Sequence, residues 1–299
     1  MDTKLETKTA FFAFVGKPNV GKSTLLNALV GHKIAIVSHR PQTTRTRITG
    51  ILTEGSVQYV FLDTPGLLRA KNRLGDHMVK TIRQGVADVD AAVLVVEPTD
   101  VITKAEEEFM AWFEQKKLPA LLVINKIDLL RDRTALMPQI SKYCKRYDFS
   151  GIIPISAKTG DGLTELKQEL SQFAVDSVHF FPDDAMTDQP ERTLAAEFVR
   201  ERLLFHLEDE IPHGLAVVTD EMKERNGVLR IFCTIYCERS NHKGIIIGKN
   251  GSMLKKISTE ARMALEEFFE TKVYLQCWFK VKENWRNREG LLRSLGFSD

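Results

Sequence analysis

Residues 16–23, GKPNVGKS, combine glycines, a lysine and a hydroxyl group in a spacing that suits the binding of nucleotide phosphates. The apolar run AFFAFV precedes them and the helical pattern TLLNALV follows, so the segment has a strand–loop–helix context. Backbone N–H groups at a helix start can hold phosphates, Lys22 can reach the β- and γ-phosphates, and Ser23 can ligate Mg²⁺. The phosphate-binding residues predicted here are Gly16, Lys17, Pro18, Asn19, Val20, Gly21, Lys22, Ser23 and Thr24.

The choice of base rests on the segment NKID, which directly follows the apolar run ALLVI. Ligands bind at the carboxyl ends of strands in parallel sheets. The Asp128 carboxylate can accept from the N1–H and 2-amino groups of guanine, whereas adenine has neither donor. Asn125 can bond the base edge and brace the phosphate loop, and the stem of Lys126 can lie along the base. The segment therefore predicts GTP and GDP as ligands.

A second short segment, SAK, follows the apolar run IIPI and extends the guanine site. The backbone N–H of Ala157 is expected to meet the guanine O6, with Ser156 and Lys158 on either side. Each triplet alone is a weak signal. Their order, each after a strand, makes the combination specific.

The segment DTPG ends the apolar run VQYVFL and has the residues of a γ-phosphate sensor. Asp63 would hold Mg²⁺ through water, and the Gly66 N–H would contact the γ-phosphate. Thr64 and Pro65 lie between them, and Leu67 follows. Many GTPases have a glutamine at that last position to orient the attacking water. Hydrolysis is therefore expected to be slow and to depend on a cation, a backbone-held water or a bound partner.

The basic segment HRPQTTRTR, residues 39–47, is expected to be the other nucleotide-sensitive loop. One of its threonines should close on Mg²⁺ and the γ-phosphate. We favour Thr44, with Thr43 as the second choice, so that Ser23, Thr44 and Asp63 form the magnesium site. A solvated basic loop is the alternative, and the presence of the other motifs argues against it.

These motifs resemble the P-loop GTPases related to translation factors, in particular those that lack the catalytic glutamine. In some of these GTPases an asparagine of the phosphate loop helps to bind K⁺, which supplies positive charge near the phosphates. Asn19 occupies that position. The resemblance implies K⁺ as a further cofactor, and the alternative is that Asn19 only braces the neighbouring loop.

Length and composition indicate two domains. The chain has 299 residues, 43% of them hydrophobic and 27% charged, as in an ordinary water-soluble protein of about two domains. Its net charge of +2 argues neither for nor against nucleic acid. No signal peptide and no membrane-spanning run is evident, so a cytoplasmic protein is expected. The four cysteines have no metal-ligand spacing, and Cys233 and Cys237 are expected to be buried beside Ile231 and Ile235.

The chain is predicted to form a GTPase domain over residues 1–175, a linker over 176–190 and a second domain over 191–299. The first has alternating strands and helices that predict a doubly wound, mostly parallel α/β sheet. RITGILT is expected to be its one antiparallel strand, joined to VQYVFLDT by a hairpin at Glu54-Gly55-Ser56. The second domain has the α+β order α-β-β-α-α-β.

The second domain contains the sequence GKNG between two predicted helices. A G-x-x-G loop in this place resembles the loop of KH domains, which clamps four nucleotides of single-stranded RNA. Residues 239–262 include six Lys or Arg and one acid. Residues Ile245–Ile247 are expected to form the floor of a base-binding groove. A helix–turn–helix with a solvated basic end is the alternative. The RNA-binding residues predicted here are Lys243, Ile247, Gly248, Lys249, Asn250, Gly251, Lys255 and Lys256.

A GTPase domain followed by a type II KH domain resembles the bacterial Era family over nearly the whole chain. The matching segments are GKPNVGKSTLLNAL, PQTTR, DTPGL, NKID, ISAKTG, HFFPDD, IIIGKNGSMLKKI and LRSLGF. The resemblance implies a monomeric, cytoplasmic GTPase that binds the 3′ end of 16S rRNA, assists maturation of the small ribosomal subunit and associates peripherally with the inner face of the cell membrane. The alternative is a metabolic or signalling GTPase whose second domain is an interaction module. A tRNA-modifying GTPase would need a further domain, for which no length remains.

Overall fold

The computed structural model describes residues 6–66, 72–85 and 87–297, and it divides into two compact units. The first unit comprises the described parts of Met1–Ala35, Thr44–Arg69 and Met78–Asp188, and the second comprises those of Ile36–Thr43, Ala70–His77 and Gln189–Asp299. Within the described residues, no helix has the length and apolar character needed to cross a membrane.

The elements up to residue 176 alternate between strands and helices, as the sequence predicted. They are β1 Lys8–Val15, α1 Lys22–Val30, β2 Ile48–Glu54, β3 Val57–Asp63, α2 Arg73–Gly85, β4 Ala91–Val96, α3 Lys104–Lys116, β5 Ala120–Ile124, α4 Leu136–Cys144, β6 Gly151–Pro154, α5 Leu163–Ser171 and β7 Val175–Asp176. All seven strands belong to one sheet.

The sheet of the first unit has the order β2-β3-β1-β4-β5-β6, and β7 pairs with β1. Strands β3, β1, β4, β5 and β6 are parallel, which confirms the predicted α/β class. Strand β2 is antiparallel to β3, and the hairpin between them lies where it was predicted. A single antiparallel strand was expected, and that expectation is wrong, because β7 is also antiparallel to β1. Two residues are too few to show a strand pattern in the sequence.

Both faces of this sheet are buried, which explains the unbroken apolar runs of its strands. Phe12 and Phe14 of β1 pack on one face, together with Leu25 of α1. Ala13 and Val15 pack on the other face, where α3 contributes Phe113. Because β1, β3, β5 and β6 are parallel, their carboxyl ends lie at the same edge of the sheet, and the predicted motifs begin there.

Residues 176–190, predicted to be a linker, are hydrogen-bonded to the first unit over much of their length. The Gln58 side chain donates to the Phe181 carbonyl at 2.9 Å and accepts from the Phe180 and Phe181 amides at 2.8 and 3.0 Å. The Ile51 amide donates to the Met186 carbonyl at 2.8 Å. The segment thus packs along the β2–β3 hairpin, although its prolines and aspartates are typical of irregular chain.

The second unit has the predicted α-β-β-α-α-β order, followed by one more short helix. Its elements are α6 Glu191–His206, β8 Leu215–Arg225, β9 Val228–Cys237, α7 Ser240–Ile247, α8 Ser252–Phe269, β10 Lys272–Val281 and α9 Glu289–Ser294. The strand order is β10-β9-β8, with β9 and β10 parallel and β8 and β9 antiparallel. Side chains of α6 and α8 cover one face of this sheet, among them Phe198, Leu203 and Leu265.

The buried cysteines of β9 have the role expected from their spacing. Cys233 and Cys237 are fully buried and share the core with Ile231 and Ile235. Burial raises the pKa of the Cys233 thiol to about 12, so it stays protonated and unreactive. In the described part of the chain, no cluster of three or more His, Cys, Asp or Glu residues could hold a metal ion.

The predicted switch segment 39–47 is divided between the two units at Thr43. Residues Ile36–Thr43 group with the second unit, where the Arg40 guanidinium donates to the carbonyls of Leu204 and Leu207 at 3.2 and 2.6 Å. These carbonyls lie at the carboxyl end of α6, where backbone oxygens lack helical partners. Arg40 therefore caps helix α6 and complements its dipole.

Candidate functional site

The loop between β1 and α1 adopts a conformation that requires its glycines. Gly16 has φ 148°, and a Cβ there would lie 2.3 Å from the Val95 carbonyl oxygen. Gly21 has φ 98°, and a Cβ there would lie 2.2 Å from Nδ2 of Asn125. The loop therefore packs directly against the ends of β4 and β5, so its amides are held at the start of α1.

Lys22 points back into this loop. Its ammonium donates to the carbonyls of Gly16 and Lys17 at 3.2 and 2.9 Å, and its side chain is almost fully buried. Burial lowers the pKa of Lys22 to about 8, while the Asp63 carboxylate opposes that shift. A cation held within this loop at the start of α1 suits a bound polyphosphate.

Ser23, Thr44 and Asp63 meet beside Lys22. The Ser23 Oγ lies 2.9 Å from the Thr44 Oγ1 and donates to Asp63 Oδ2 at 2.5 Å. Asp63 is fully buried, and within the described residues its Oδ1 has no hydrogen-bond partner. Burial raises the pKa of Asp63 to about 6, against the effects of Lys22, Ser23 and Thr44. A buried carboxylate oxygen without a donor, beside two hydroxyls, fits a hard cation such as Mg²⁺.

Of the two candidate threonines, Thr44 belongs to this cluster and Thr43 does not. The Thr43 hydroxyl donates to the Arg40 carbonyl at 2.7 Å and lies 2.8 Å from the Ser38 hydroxyl. Its own carbonyl accepts from the Arg200 guanidinium. Thr43 therefore holds the segment Ile36–Thr43 together, and of the two candidates it is Thr44 that lies beside Ser23.

The DTPG segment lies against the phosphate loop. A Cβ on Gly66 would lie 2.5 Å from the backbone nitrogen of Pro18, so the two backbones are in contact. Thr64 has a structural part, because its hydroxyl donates to the Phe14 carbonyl at 2.7 Å and it is fully buried. Leu67, which the sequence places at the usual glutamine position, lies outside the described residues.

Asn125 connects the two halves of the nucleotide site. Its Nδ2 donates to the Val20 carbonyl at 2.8 Å, and its Oδ1 accepts from the amides of Lys126 and Ala157 at 2.8 and 2.9 Å. The side chain thus braces the phosphate loop, which is one of its two expected roles. The Ala157 N–H donates to Asn125 here, and its contact with a guanine O6 stays a prediction.

Asp128 and Ser156, two residues of the predicted guanine site, are hydrogen-bonded to each other. The Ser156 hydroxyl donates to Asp128 Oδ1 at 2.7 Å, and Ser156 is fully buried. Asp128 and Lys158 are exposed, and Ser156 is the one hydrogen-bond partner of Asp128 in the described part of the chain. The serine fixes the carboxylate, whose second oxygen remains for a base.

Two acidic residues of this site were not identified from the sequence. Glu97 pairs with the Lys126 ammonium, which also donates to the Asn19 carbonyl at 2.6 Å. Glu106 is buried in α3 and lies 3.4 Å from the Lys17 ammonium. Both lie far from their partners along the chain, and neither belongs to a motif, so no local signal could have found them.

The G-x-x-G loop of the second unit has the geometry that its glycines imply. Gly248 and Gly251 have φ values of 74° and 76°, and Asn250 between them has φ 53°. A Cβ on Gly248 would lie 2.7 Å from the Cβ of Met253 and 2.9 Å from its backbone nitrogen. The loop therefore turns tightly onto the start of α8, where a phosphate is favoured.

The predicted RNA-binding lysines surround this loop. Lys243, Lys249, Lys255 and Lys256 are exposed, and none of them forms an ion pair within the described residues. By contrast, the nearby Glu260 is paired with His206 at 2.6 Å. The four lysines therefore present positive charge that suits a nucleic-acid backbone.

The expected apolar floor of Ile245–Ile247 is corrected by the structure. Ile246 is fully buried and belongs to the core between α7 and the sheet, whereas Ile245 is 54% exposed and Ile247 is half-buried. Successive residues of a helix point about 100° apart, so three isoleucines in a row cannot share one face. Ile246 therefore holds α7 in place, and Ile247 remains a candidate contact for RNA.

Comparison with known protein families gives matches for both units. Residues 11–126 match the family described as 50S ribosome-binding GTPase, and residues 210–286 match the KH domain family. The chain is 43% identical to GTPase Era of Ruminiclostridium cellulolyticum over 291 residues, which cover 97% of each chain. It is 44% identical to GTPase Era of Clostridioides difficile over 294 residues, 98% of this chain and 99% of that protein.

Two solved structures are similar over almost the full length. One is a variant of Aquifex aeolicus Era bound to GDP and AlF4⁻, and the other is Era in complex with MgGDPNP and nucleotides 1506–1542 of 16S ribosomal RNA. Each is 37% identical, with a TM-score of 0.94, and covers 98% of this chain and 100% of its own. The chain thus has the fold of a P-loop GTPase domain followed by a KH domain.

Proposed function

Because this chain belongs to the Era family of GTPases, as its motifs predicted, we propose that it is a GTP-dependent assembly factor of the small ribosomal subunit. One observation supports the proposal: the structure places the predicted phosphate and guanine residues at one edge of the first sheet, and it surrounds the glycine loop of the second unit with lysines that form no ion pair within the described residues. The second unit would hold the 3′ end of 16S rRNA, and the nucleotide state of the first unit would time this binding.

The nucleotide part of the proposal is supported by the order of groups along the site. Lys22 and the amides of the phosphate loop would hold the phosphates, and Asp128, held by Ser156, would select guanine. Ser23, Thr44 and Asp63 would hold Mg²⁺, which when bound supplies positive charge to the β- and γ-phosphates. A leucine in place of the water-orienting glutamine makes slow hydrolysis our expectation.

The RNA part is supported by the loop and by a relative. Era, whose fold this chain shares, has been solved in complex with a fragment of 16S ribosomal RNA. In this chain Gly248 lets the loop turn closely onto Met253, no atom lies within 4 Å of a Cβ on Gly251, and Lys249 and Asn250 lie between the two glycines. We propose that this loop binds single-stranded RNA at the 3′ end of the small-subunit rRNA.

The proposal is tested by measuring GTP hydrolysis with and without small ribosomal subunits, together with filter binding of a single-stranded pyrimidine-rich RNA. Subunits should accelerate hydrolysis, and the RNA should bind. A chain that hydrolyses GTP at the same rate in both conditions and binds no RNA would instead be a GTPase with a non-RNA interaction module. Monomeric state and peripheral membrane association stay predictions.

Replacing Asp63 with asparagine should make nucleotide binding insensitive to magnesium. Asparagine keeps an oxygen for the Ser23 hydroxyl but removes the buried negative charge. We expect the affinity for GTP in Mg²⁺ to fall by about 10- to 100-fold. Titration calorimetry in Mg²⁺ and in EDTA measures the effect. Asp100→Asn, an exposed carboxylate of the same unit, is the control. If the Asp63→Asn protein still binds GTP more tightly in Mg²⁺ than in EDTA, Asp63 is not part of the magnesium site.

Hydrolysis should be faster in K⁺ than in Na⁺ at equal ionic strength, by at least about ten-fold if Asn19 helps to hold the ion. The backbone of Asn19 lies in the left-handed region, with φ 66°, and its carbonyl accepts from Lys126, so its position in the loop is well defined. Turnover by wild type and Asn19→Ala in each salt checks this. Equal rates in both salts would leave Asn19 with a bracing role.

A further inference from the structure

The sheet of the second unit has one face opposite α6 and α8, and the part of it along β10 is exposed. Alternate residues of β10, among them Val273 and Leu275, point to the helices and belong to the core. Tyr274 and Trp278 therefore point to the other side, and they are 48% and 43% exposed. On β9, Ile231 and Ile235 point to the core, so Phe232 lies on that same side.

Aromatic rings lie in a row across this face. The rings of Phe232 and Trp278 are stacked, with centroids 5.7 Å apart and planes at 16°. Tyr274 packs against the same Phe232 at 6.1 Å. Single exposed apolar residues are common on protein surfaces, but three rings in contact form a platform.

Cations border these rings. The Arg230 guanidinium lies 5.7 Å from the centre of the Tyr274 ring, and the Lys282 ammonium lies 4.5 Å from the centre of the Tyr236 ring. Lys280 occupies the next outward position after Trp278 and is exposed. The Tyr236 ring itself is buried, with 8% exposed. We call the set Arg230, Phe232, Tyr274, Trp278 and Lys282 the aromatic face.

On this face of the sheet, the acidic residues of the three strands lie on β8. The outward positions of β9 and β10, from 228 to 236 and from 272 to 280, contain no Asp or Glu. On β8, Asp220 accepts from the Thr234 hydroxyl at 2.6 Å, and Glu221 pairs with Lys223 at 2.5 Å. The charged residues at the outward positions of β9 and β10 are therefore all basic, and the neighbouring acids of β8, Asp220 beside Thr234 and Glu221 opposite Phe232, are each hydrogen-bonded.

We propose that the aromatic face is a second binding surface for single-stranded RNA, on the side of the sheet opposite the G-x-x-G loop. Exposed rings bind bases by stacking whatever their sequence, and neighbouring cations bind the phosphates. Helices α7 and α8, which flank the loop, both contact β10. Strand β10 is also an edge strand of the sheet, so an RNA that continues from the loop can reach the aromatic face around this edge. This inference rests on the proposed RNA binding, and it lengthens the stretch of RNA that the protein would bind.

The test compares two RNAs by fluorescence anisotropy. One pyrimidine-rich RNA of about five nucleotides suffices for the loop, and one of about twelve nucleotides can also reach the aromatic face. Wild type should bind the longer RNA more tightly. The double variant Tyr274→Ala, Trp278→Ala should lose about ten-fold affinity for the longer RNA and none for the shorter. Phe205→Ala is the control, because Phe205 is an exposed ring under an arginine on α6.

Tryptophan emission gives a direct readout of contact. Trp278 is exposed, whereas Trp285 is fully buried. The longer RNA should quench wild-type emission, and Trp278→Phe should abolish that quenching while keeping the affinity within about two-fold, because phenylalanine also stacks. The salt dependence of binding is the slope of log Kd against the logarithm of the salt concentration. The double variant Lys280→Gln, Lys282→Gln should lower this slope by roughly 1.4.

Several results would overturn the proposal. They are equal affinity of wild type for both RNAs, unchanged affinity of the double variant for the longer RNA, or quenching that persists in Trp278→Phe. A double variant that binds RNA normally but changes its oligomeric state in light scattering would assign the face to a second copy or another protein. If Gly248→Asp has no effect on RNA binding while the aromatic variants weaken it, the proposed binding of RNA by the G-x-x-G loop is wrong and the proposed binding by the aromatic face stands. If neither RNA binds wild type, both fail.

Discussion

Asp128→Asn should transfer the nucleotide preference of this protein from guanine to xanthine. The carboxylate that accepts from the N1–H and 2-amino groups of guanine becomes an amide, which has a donor on one side. Xanthine has a 2-oxo group in place of the amine, and the new amide can donate to it. We expect GTP affinity to fall by about 100- to 1000-fold, since donor mismatches discriminate strongly. XTP affinity should rise correspondingly.

The structure explains why this substitution should leave the site intact. The Ser156 hydroxyl donates to Asp128 Oδ1, and the oxygen of an asparagine can accept the same hydrogen bond. Hydrolysis of GTP and XTP over a range of concentrations measures the change. Asp161→Asn, an exposed carboxylate of the neighbouring loop, is the matched control. Equal losses for both nucleotides would indicate that the variant has damaged the fold rather than the specificity.

Gly248→Asp should abolish RNA binding, by about 100-fold or more, and leave GTP hydrolysis without RNA unchanged. A side chain at this position meets Met253 at 2.7 Å and must adopt φ 74°, which strains any residue except glycine. The added carboxylate would also repel phosphates at the place where Lys249 attracts them. Anisotropy with a short pyrimidine-rich RNA measures the loss.

Two further variants separate the causes of that loss. Gly248→Ala adds the steric conflict without the charge, so it should weaken RNA binding by a smaller factor. Gly290→Asp adds the same charge to α9, where no atom lies within 4 Å of the new Cβ, and should bind RNA normally. If Gly248→Asp keeps wild-type affinity while it remains folded by circular dichroism, the loop is not the RNA site.

Motifs that are contiguous in the chain were predictable because they act through their own backbone. The segments GKPNVGKS and GKNG were expected to be loops that approach phosphates closely, and their glycines Gly16, Gly21, Gly248 and Gly251 have positive φ values. Alternating apolar runs likewise predicted the α/β class and the α-β-β-α-α-β order. Such patterns depend on local conformation and on which face of an element is buried.

Expectations that depended on a distant partner were less secure. The hydrogen bond from the Ala157 amide to the Asn125 side chain was not predicted, because the two residues lie on neighbouring strand ends that are far apart in the chain. The pairings of Lys126 with Glu97 and of Lys17 with Glu106 had no signal in the sequence. Strand β7 and the hydrogen bonds of residues 176–190 were missed because a two-residue strand has no periodicity.

The aromatic face likewise has one part that the sequence predicts and one part that only the structure decides. The alternation in TKVYLQCWFKVK predicts a strand, yet it does not say which alternate set faces the helices. The pairing of Tyr274 with Arg230 comes from the register of β10 on β9. A shift of one residue would have exchanged the two faces.

The sequence by itself determined the chemistry of this protein: a phosphate loop, a guanine selector, a clamp for RNA and the order of the elements that carry them. These depend on residue types at short spacing, which set backbone conformation and hydrogen-bonding capacity locally. The tertiary structure decided that Thr44 rather than Thr43 joins Ser23 and Asp63, that Ile246 is core, and that rings and cations meet on one sheet face. Those outcomes depend on sheet order and register, which join residues far apart in the chain.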